Sequence, residues 1–231
     1  MKIISAKCEI IRPKCTEEMH REFLEAIEYV ARKCYKSEDL SQPGSAAKMV
    51  RRLCRDGHEA MLEHAPTISV CFYVDRGVTH EVVRHRLSSF AQESTRYCNY
   101  SKDKFDNGIT YVDIKNGIEL CPITSKLGDL QKALIIQEWM TACVQAEEHY
   151  LRMLELGCSP QIARSVLNHS TKSELVMTAN VREWRHFFNL RAAGITGRPH
   201  PQMLEVTGTL LNTLKEFLPE VFGDIEVCCD V

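Results

Sequence analysis

Several features that would fix a protein's class at once are missing from this sequence. No two of its 11 cysteines are separated by two residues, and the number is odd. A zinc site or a disulfide frame would need paired spacings, so the thiols are expected to be reduced and packed as small hydrophobes. No apolar run approaches the roughly 20 residues of a membrane span. The opening stretch is broken by Lys7 and Glu9 before an apolar signal region could form. The expected location is therefore the cytoplasm, away from any membrane. Positive charge is not in excess either: 29 Lys and Arg stand against 31 Asp and Glu. That balance argues against a protein that coats nucleic acid. Internal repeats, low-complexity tracts and linkers are absent. The segment His58-Glu59-Ala60-Met61-Leu62 lacks the second histidine of a zinc-binding HExxH helix, so no metal is expected there.

What remains is ordinary globular composition. Hydrophobic residues make up 44% and charged residues 26% of 231 positions, enough for a real core. Residues 1–231 are expected to form a single domain. Loose alternation over 2–12 suggests a first strand. Thr16 can cap a helix over 17–35, whose apolar face is Met19, Phe23, Ala26, Ile27, Val30 and Cys34. Pro43-Gly44-Ser45 opens a second helix that Gly57 stops. The clearest strand runs from Thr67 to Asp75, with Ile68, Val70, Phe72 and Val74 on one side. A short helix is expected over 78–86 and a strand over 109–114. The longest periodic segment, 125–156, is broadly apolar, as if to meet another subunit as well as its own core. A short helix over 160–164, a strand at 175–179, a helix capped by Asn180 and a last helix stopping at Pro219 complete an α+β fold, helices on a small mixed sheet.

The chemistry concentrates in Arg84-His85-Arg86 and the polar run that follows, Gln92-Glu93-Ser94-Thr95-Arg96-Tyr97. Arginine is seldom buried unless paired, and forked donors beside an imidazole and hydroxyls suit phosphates and carbonyl oxygens. A later group holds Arg164, Arg182, Arg185, His186 and Arg191. Arg182 and Arg185 read as a solvated helical face. Arg191 lies among Phe187, Phe188 and Leu190 and reads as less idle.

The pattern Arg-His-Arg, seven residues, then Ser94 resembles the signature of the flavin-dependent thymidylate synthases. Gly57-His58-Glu59, Ala163-Arg164, Asn180, Asn189-Leu190-Arg191 and His200-Pro201-Gln202 follow in the family's order, so the resemblance covers roughly 50–215. It implies a homotetramer with active sites where subunits meet. It also implies conversion of dUMP to dTMP, with methylenetetrahydrofolate as carbon donor and FAD, reduced by NADPH, as hydride source. The residues implied to hold FAD are Arg84, His85, Arg86, Gln92, Asn180, Val181, Arg182 and His186. Those implied to hold dUMP are Glu81, Val82, Val83, Arg84, Gln92, Glu93, Ser94, Thr95, Arg96, Arg164 and Arg191. Arg191 is implied to be catalytic, and no cysteine nucleophile is implied. The chain departs from the family at Ala60, where Thr or Ser is common, at Gln92 for Glu, at His186 for Asn and at Glu81 for Gln. Two other functions compete: a folate- and flavin-using methyltransferase acting on RNA uracil, and a non-catalytic nucleotide-binding protein.

Overall fold

A computed structural model describes residues 1–228. In chain order its elements are β1 (Lys2–Ile4), β2 (Lys7–Arg12), α1 (Glu17–Tyr35), α2 (Ser45–Arg55), β3 (Ile68–Asp75) and α3 (Arg76–Val82). There follow β4 (Ser89–Gln92), β5 (Thr110–Val112), α4 (Lys115–Leu120), α5 (Asp129–Glu155) and α6 (Pro160–Ala163). The last are β6 (Lys172–Ala179), α7 (Val181–Arg191), α8 (Pro201–Phe217) and α9 (Pro219–Phe222). Short 3₁₀ turns link several of them, including Glu59–His64.

The helix starts follow their caps. Thr16 Oγ1 accepts the Met19 N–H at 3.3 Å, with Glu17 and Glu18 favourably placed in the first turn. Asp75 Oδ1 accepts the Val78 N–H at 2.7 Å and so starts α3 directly at the end of β3. Asn180 Oδ1 does the same for α7, accepting from the Glu183 N–H at 2.9 Å.

The expected mixed sheet is divided in two. Four strands run in the order β2-β3-β6-β4, every neighbouring pair antiparallel, and β1 pairs in parallel with β5 apart from them. The expected first strand over 2–12 accordingly breaks at Ser5-Ala6, its two halves serving different sheets. In β3 the face expected to point outward is covered too, with Ser69, Cys71 and Asp75 buried, and the expected inward residues Ile68, Val70, Phe72 and Val74 are all fully buried. Leu175 and Met177 of β6 join them, and α7 lays Trp184, Phe187 and Phe188 on the same core. Each such side chain contributes about 1.5–3 kcal/mol of burial. The Trp184 indole N–H, buried with its ring, donates to the Ile68 carbonyl at 3.1 Å. Met203, Val206, Leu210 and Leu214 of α8 close that core as their spacing requires.

α5 behaves differently. Only Cys143, Glu147 and Tyr150 of its 27 residues are buried, over a small cluster with Tyr100, Ile109, Tyr111 and Ala163. Leu130, Leu134, Met140 and Val144 stay exposed within this chain. Among the described residues no helix is long and apolar enough to cross a membrane.

Candidate active site

The helix expected over 78–86 ends at Val82, so Arg84, His85 and Arg86 lie in the turns that follow it. His85 turns inward and is buried, whereas Arg84 and Arg86 are exposed. Neither arginine side chain makes a hydrogen bond or ion pair with another described residue. Two sets of forked cationic donors are thus left for a ligand.

The seven-residue gap of the signature contains a short strand, β4, that sequence periodicity did not reveal. β4 pairs with β6 from Ser89↔Thr178 to Gln92↔Leu175, and the Glu93 N–H extends the ladder to the Glu174 carbonyl at 2.8 Å. Four residues at strand rise carry the chain about 10 Å. At its far end Ser94 organises a turn. Its carbonyl accepts the Tyr97 and Cys98 N–H groups, and its hydroxyl oxygen accepts the Arg96 N–H at 3.3 Å. The Arg96 guanidinium lies 5.3 Å from the centre of the Tyr97 ring. Arg164 Nη1 reaches the same turn and donates to Thr95 Oγ1 at 3.0 Å.

Arg191 joins the near end. It sits in the last turn of α7 and is half-buried. Nε donates to His85 Nε2 at 3.2 Å, Nη1 to Glu81 Oε2 at 2.8 Å, and Nη2 to the Glu81 carbonyl at 3.3 Å. Its backbone is tied to α8, because Thr207 Oγ1 donates to the Arg191 carbonyl at 2.6 Å. His200 Nδ1 lies 3.5 Å from the other Glu81 oxygen. Contacts within the chain therefore gather the arginines in two groups, Arg191 beside Arg84–Arg86 and Arg164 beside Arg96, with β4 running between.

The state of His85 follows from this geometry. A guanidinium N–H aimed at Nε2 needs a lone pair there, so Nδ1 carries the proton. Burial pushes the imidazole pKa down to about 4, with Arg191 and His186 pushing the same way, and the ring is neutral near pH 7. Its Nδ1 lies 3.3 Å from Glu183 Oε1, close but outside hydrogen-bond alignment. Ligand atoms of His85, Glu183 and His186 come within 4.8 Å of one another. They suit a cation poorly, because Nδ1 is protonated and a guanidinium abuts the same ring.

Other expected site residues are engaged internally. Val82 and Val181 are fully buried in the core. Gln92 Nε2 donates to Thr79 Oγ1 and Ser173 Oγ at 2.9 and 3.0 Å. Glu93 accepts from Tyr100 Oη at 2.9 Å and from Lys172 Nζ at 3.0 Å. Asn180 is occupied as a cap, and Thr95 is buried under Arg164. Arg182 is exposed and paired with Glu63. Val83 and His186 are exposed.

Arg185 is not on the solvated face expected of it. It is buried: Nε donates to Glu59 at 2.8 Å, while Nη1 and Nη2 grip both Asp224 oxygens at 2.7 and 2.8 Å. Nη1 also donates to the Val221 carbonyl. Burial alone would lower its pKa, but the hydrogen bonds it donates to Asp224 and Glu59, and the neighbouring Cys54, raise it, so it stays charged. Glu183 escaped notice for a different reason: Asn180-x-x-Glu183 looks like an ordinary helix start.

Residues 17–220 match the family described as thymidylate synthase complementing protein. Flavin-dependent thymidylate synthases of Corynebacterium diphtheriae and Corynebacterium efficiens are 34% and 31% identical to the chain. The matches cover 87% of this chain and 78% and 79% of theirs. The fold resembles that of a UMP/dUMP methylase, PolB from Streptomyces cacaoi, solved with 5-Br dUMP. That comparison has a TM-score of 0.78 at 23% identity and covers 96% of both chains. With the buried histidine of the signature meeting the late arginine as described, and residues 17–220 matched by the family, the chain belongs to the flavin-dependent thymidylate synthase family, whose members are methyltransferases.

Proposed function

We propose that this protein reductively methylates dUMP to dTMP, taking the carbon from methylenetetrahydrofolate. The observation that carries this is the contact of Arg191 with His85 and Glu81, which joins the late helix to the signature. The donor set fits a flavin with a diphosphate: Arg84 and Arg86 are exposed and unpaired, and the exposed His186 ring lies 5.8 Å from that of His85. Arg84, His85, Arg86, Arg182 and His186 would hold FAD through side chains, and Gln92, Asn180 and Val181 through backbone atoms. FAD reduced by NADPH supplies the hydride.

Arg96 and Arg164 grip the substrate's phosphate, each charge-assisted bond contributing about 1.5–3 kcal/mol, while Arg84 reaches the nucleotide from the other end of β4. The Ser94 hydroxyl proton is free to complete that cradle, and the backbone around Glu93 and Thr95 lines it. Glu81 and Val83 form the wall against the pyrimidine, with Val82 buried behind them. Reaction at C5 or C6 of uracil moves electron density onto N3 and the ring carbonyls. The Arg191 guanidinium stabilises that charge, as oxyanion-hole donors do, once the substrate takes over donors now held by Glu81. Cys98 supplies no nucleophile. The span 1–231 works as one domain in the cytoplasm, and the open apolar face of α5 supports assembly into a homotetramer.

The test is spectroscopic first. The purified protein should be yellow or take up added FAD, and dUMP should perturb the flavin spectrum. Formation of dTMP should require both methylenetetrahydrofolate and NADPH. Colourless protein that refuses FAD yet binds dUMP would leave a non-catalytic nucleotide binder. Methylation of uracil in RNA but not in dUMP would overturn the substrate. UMP run in parallel tests whether a 2′-hydroxyl is tolerated.

A further inference from the structure

Glu183 is the buried group that the proposed reaction leaves unused. It occupies the third position of α7, three residues after the Asn180 cap. In that position a glutamate commonly folds back onto the backbone N–H of the cap. Here only its own N–H takes part, donating to Asn180 Oδ1 at 2.9 Å. The carboxylate goes inward instead, and the residue is 4% exposed. Taking a carboxylate out of water is costly unless something meets it, and burial does raise its pKa, with His186 opposing. Among the described residues no hydrogen bond to this carboxylate is formed. What it meets at ion-pair distance is His85 Nδ1, 3.3 Å away and itself without an aligned partner. On the opposite side of the same ring, Nε2 accepts from Arg191 Nε.

We infer that Glu183 is a positioning residue, which holds His85 in the Nδ1–H tautomer so that Nε2 can accept from and aim the Arg191 guanidinium. An imidazole has one proton to place when neutral. With a carboxylate beside Nδ1, the proton stays on that side. Without it, the proton is free to move to Nε2, where it faces the Arg191 N–H and turns an attraction into a clash of two donors. The same logic governs carboxylates behind catalytic or metal-bound histidines, where the distant acid sets which nitrogen is available. The 3.3 Å approach has room to tighten when ligand closes the site. This inference rests on the proposed function only in naming dUMP as the molecule that Arg191 meets.

The experiment uses the flavin-loaded protein with ¹⁵N-labelled histidine, the His85 signals being assigned by their loss in His85→Asn. Nitrogen shifts near pH 7 should report a protonated Nδ1 and a bare Nε2. Glu183→Leu should move His85 toward the Nε2–H tautomer and weaken dUMP binding, measured by calorimetry, by about tenfold, the lower end for one charge-assisted hydrogen bond. Glu183→Gln, which keeps an acceptor oxygen, should retain the tautomer and bind within about threefold of the parent. A protonated Nε2 in the parent protein overturns the inference, whether or not Glu183→Leu folds. So does Glu183→Leu with unchanged tautomer and affinity, the result expected of a merely structural carboxylate. A parent protein that binds no dUMP would sink the proposed function instead, while the nitrogen shifts still decide the role of Glu183.

Discussion

Arg185 and Arg191 lie on the same helix, fewer than two turns apart, and the regions around them could hardly differ more. At Arg185 every nitrogen donates: to Glu59, to both oxygens of Asp224 and to the Val221 carbonyl. At Arg191 one carboxylate, one carbonyl and one neutral imidazole take the donors, and the side chain is partly open to solvent. The first arrangement is closed and ties α7 to α9 and to the turn before β3. The second is replaceable, because a substrate's oxygens can substitute for Glu81. Saturation of donors, not residue type, separates an arginine that holds the fold from one that is offered to a ligand. Arg84 and Arg86, exposed and unpaired, extend the same series to its open end.

Variants can break this contrast, beginning with the strongest effect. Arg191→Ala should keep its flavin and its melting temperature but lose about 100- to 1,000-fold in dTMP turnover, the range for one lost transition-state donor. Turnover within twofold of the parent would place the critical charge elsewhere. Arg185→Met should show the mirror image. It leaves Asp224 and Glu59 without their cation and should cost about 2–3 kcal/mol, less than a fully buried pair because Asp224 is half exposed. That is a fall of about 4–12 °C in Tm for a chain of this size, with activity per folded molecule nearly unchanged.

A pH series sharpens the comparison further. The folded-state pKa of His85 is depressed to about 4 from an ordinary value of 6.5. Between those values the unfolded chain binds more protons than the folded one, so stability rises with pH. The contribution of His85 is complete above about pH 6.5 and disappears as pH falls through about 4. Denaturation curves of the parent should therefore lose up to about 3 kcal/mol across that window relative to His85→Asn, less to the extent that solvent screens the ring. Parallel curves would mean that the imidazole is not held neutral. The smallest effect is expected at Cys98, half-buried in the minor cluster. Cys98→Ala should remain within twofold of parental activity, and a folded but inactive variant would reopen the question of a thiol nucleophile.

Much of this was legible in the sequence, for identifiable reasons. α2 and α8 carry strong periodicity and bury the residues expected of them, and α1 and α7 start at the expected caps, Thr16 and Asn180. The inward face of α1 differs from the expected one: Phe23 and Ile27 are buried together with Leu24, Ala31 and the Glu28–Arg32 ion pair, whereas Cys34 is exposed. β4 was not legible because Ser89-Phe90-Ala91-Gln92 is too short and too weakly alternating to announce a strand, and its pairing with β6 is a long-range contact. Helical spacing placed Arg185 on a solvated face. Glu59 and Asp224, distant in sequence, draw it inside instead, and periodicity carries no trace of such partners. Of the candidate site, the arginines were found as residue types in order. That Glu81 holds Arg191, and that Gln92 and Glu93 are spent on internal bonds, required coordinates. The Cys228-Cys229 pair ends outside the described residues at Cys229; the Cys228 N–H donates to the Ala192 carbonyl at 2.8 Å.

Thr207 makes one last demand on the protein. Its hydroxyl is shared between the Met203 carbonyl of its own helix and the carbonyl of Arg191. Valine has nearly the same shape and no proton to give, so at this remote position an apolar replacement would spare the packing and still loosen the backbone beneath the guanidinium. Serine is the one other side chain able to tether it from there. A screen that weighed only volume and hydrophobicity would pass the valine variant as harmless, and the assay bench would be the first place the fault appeared.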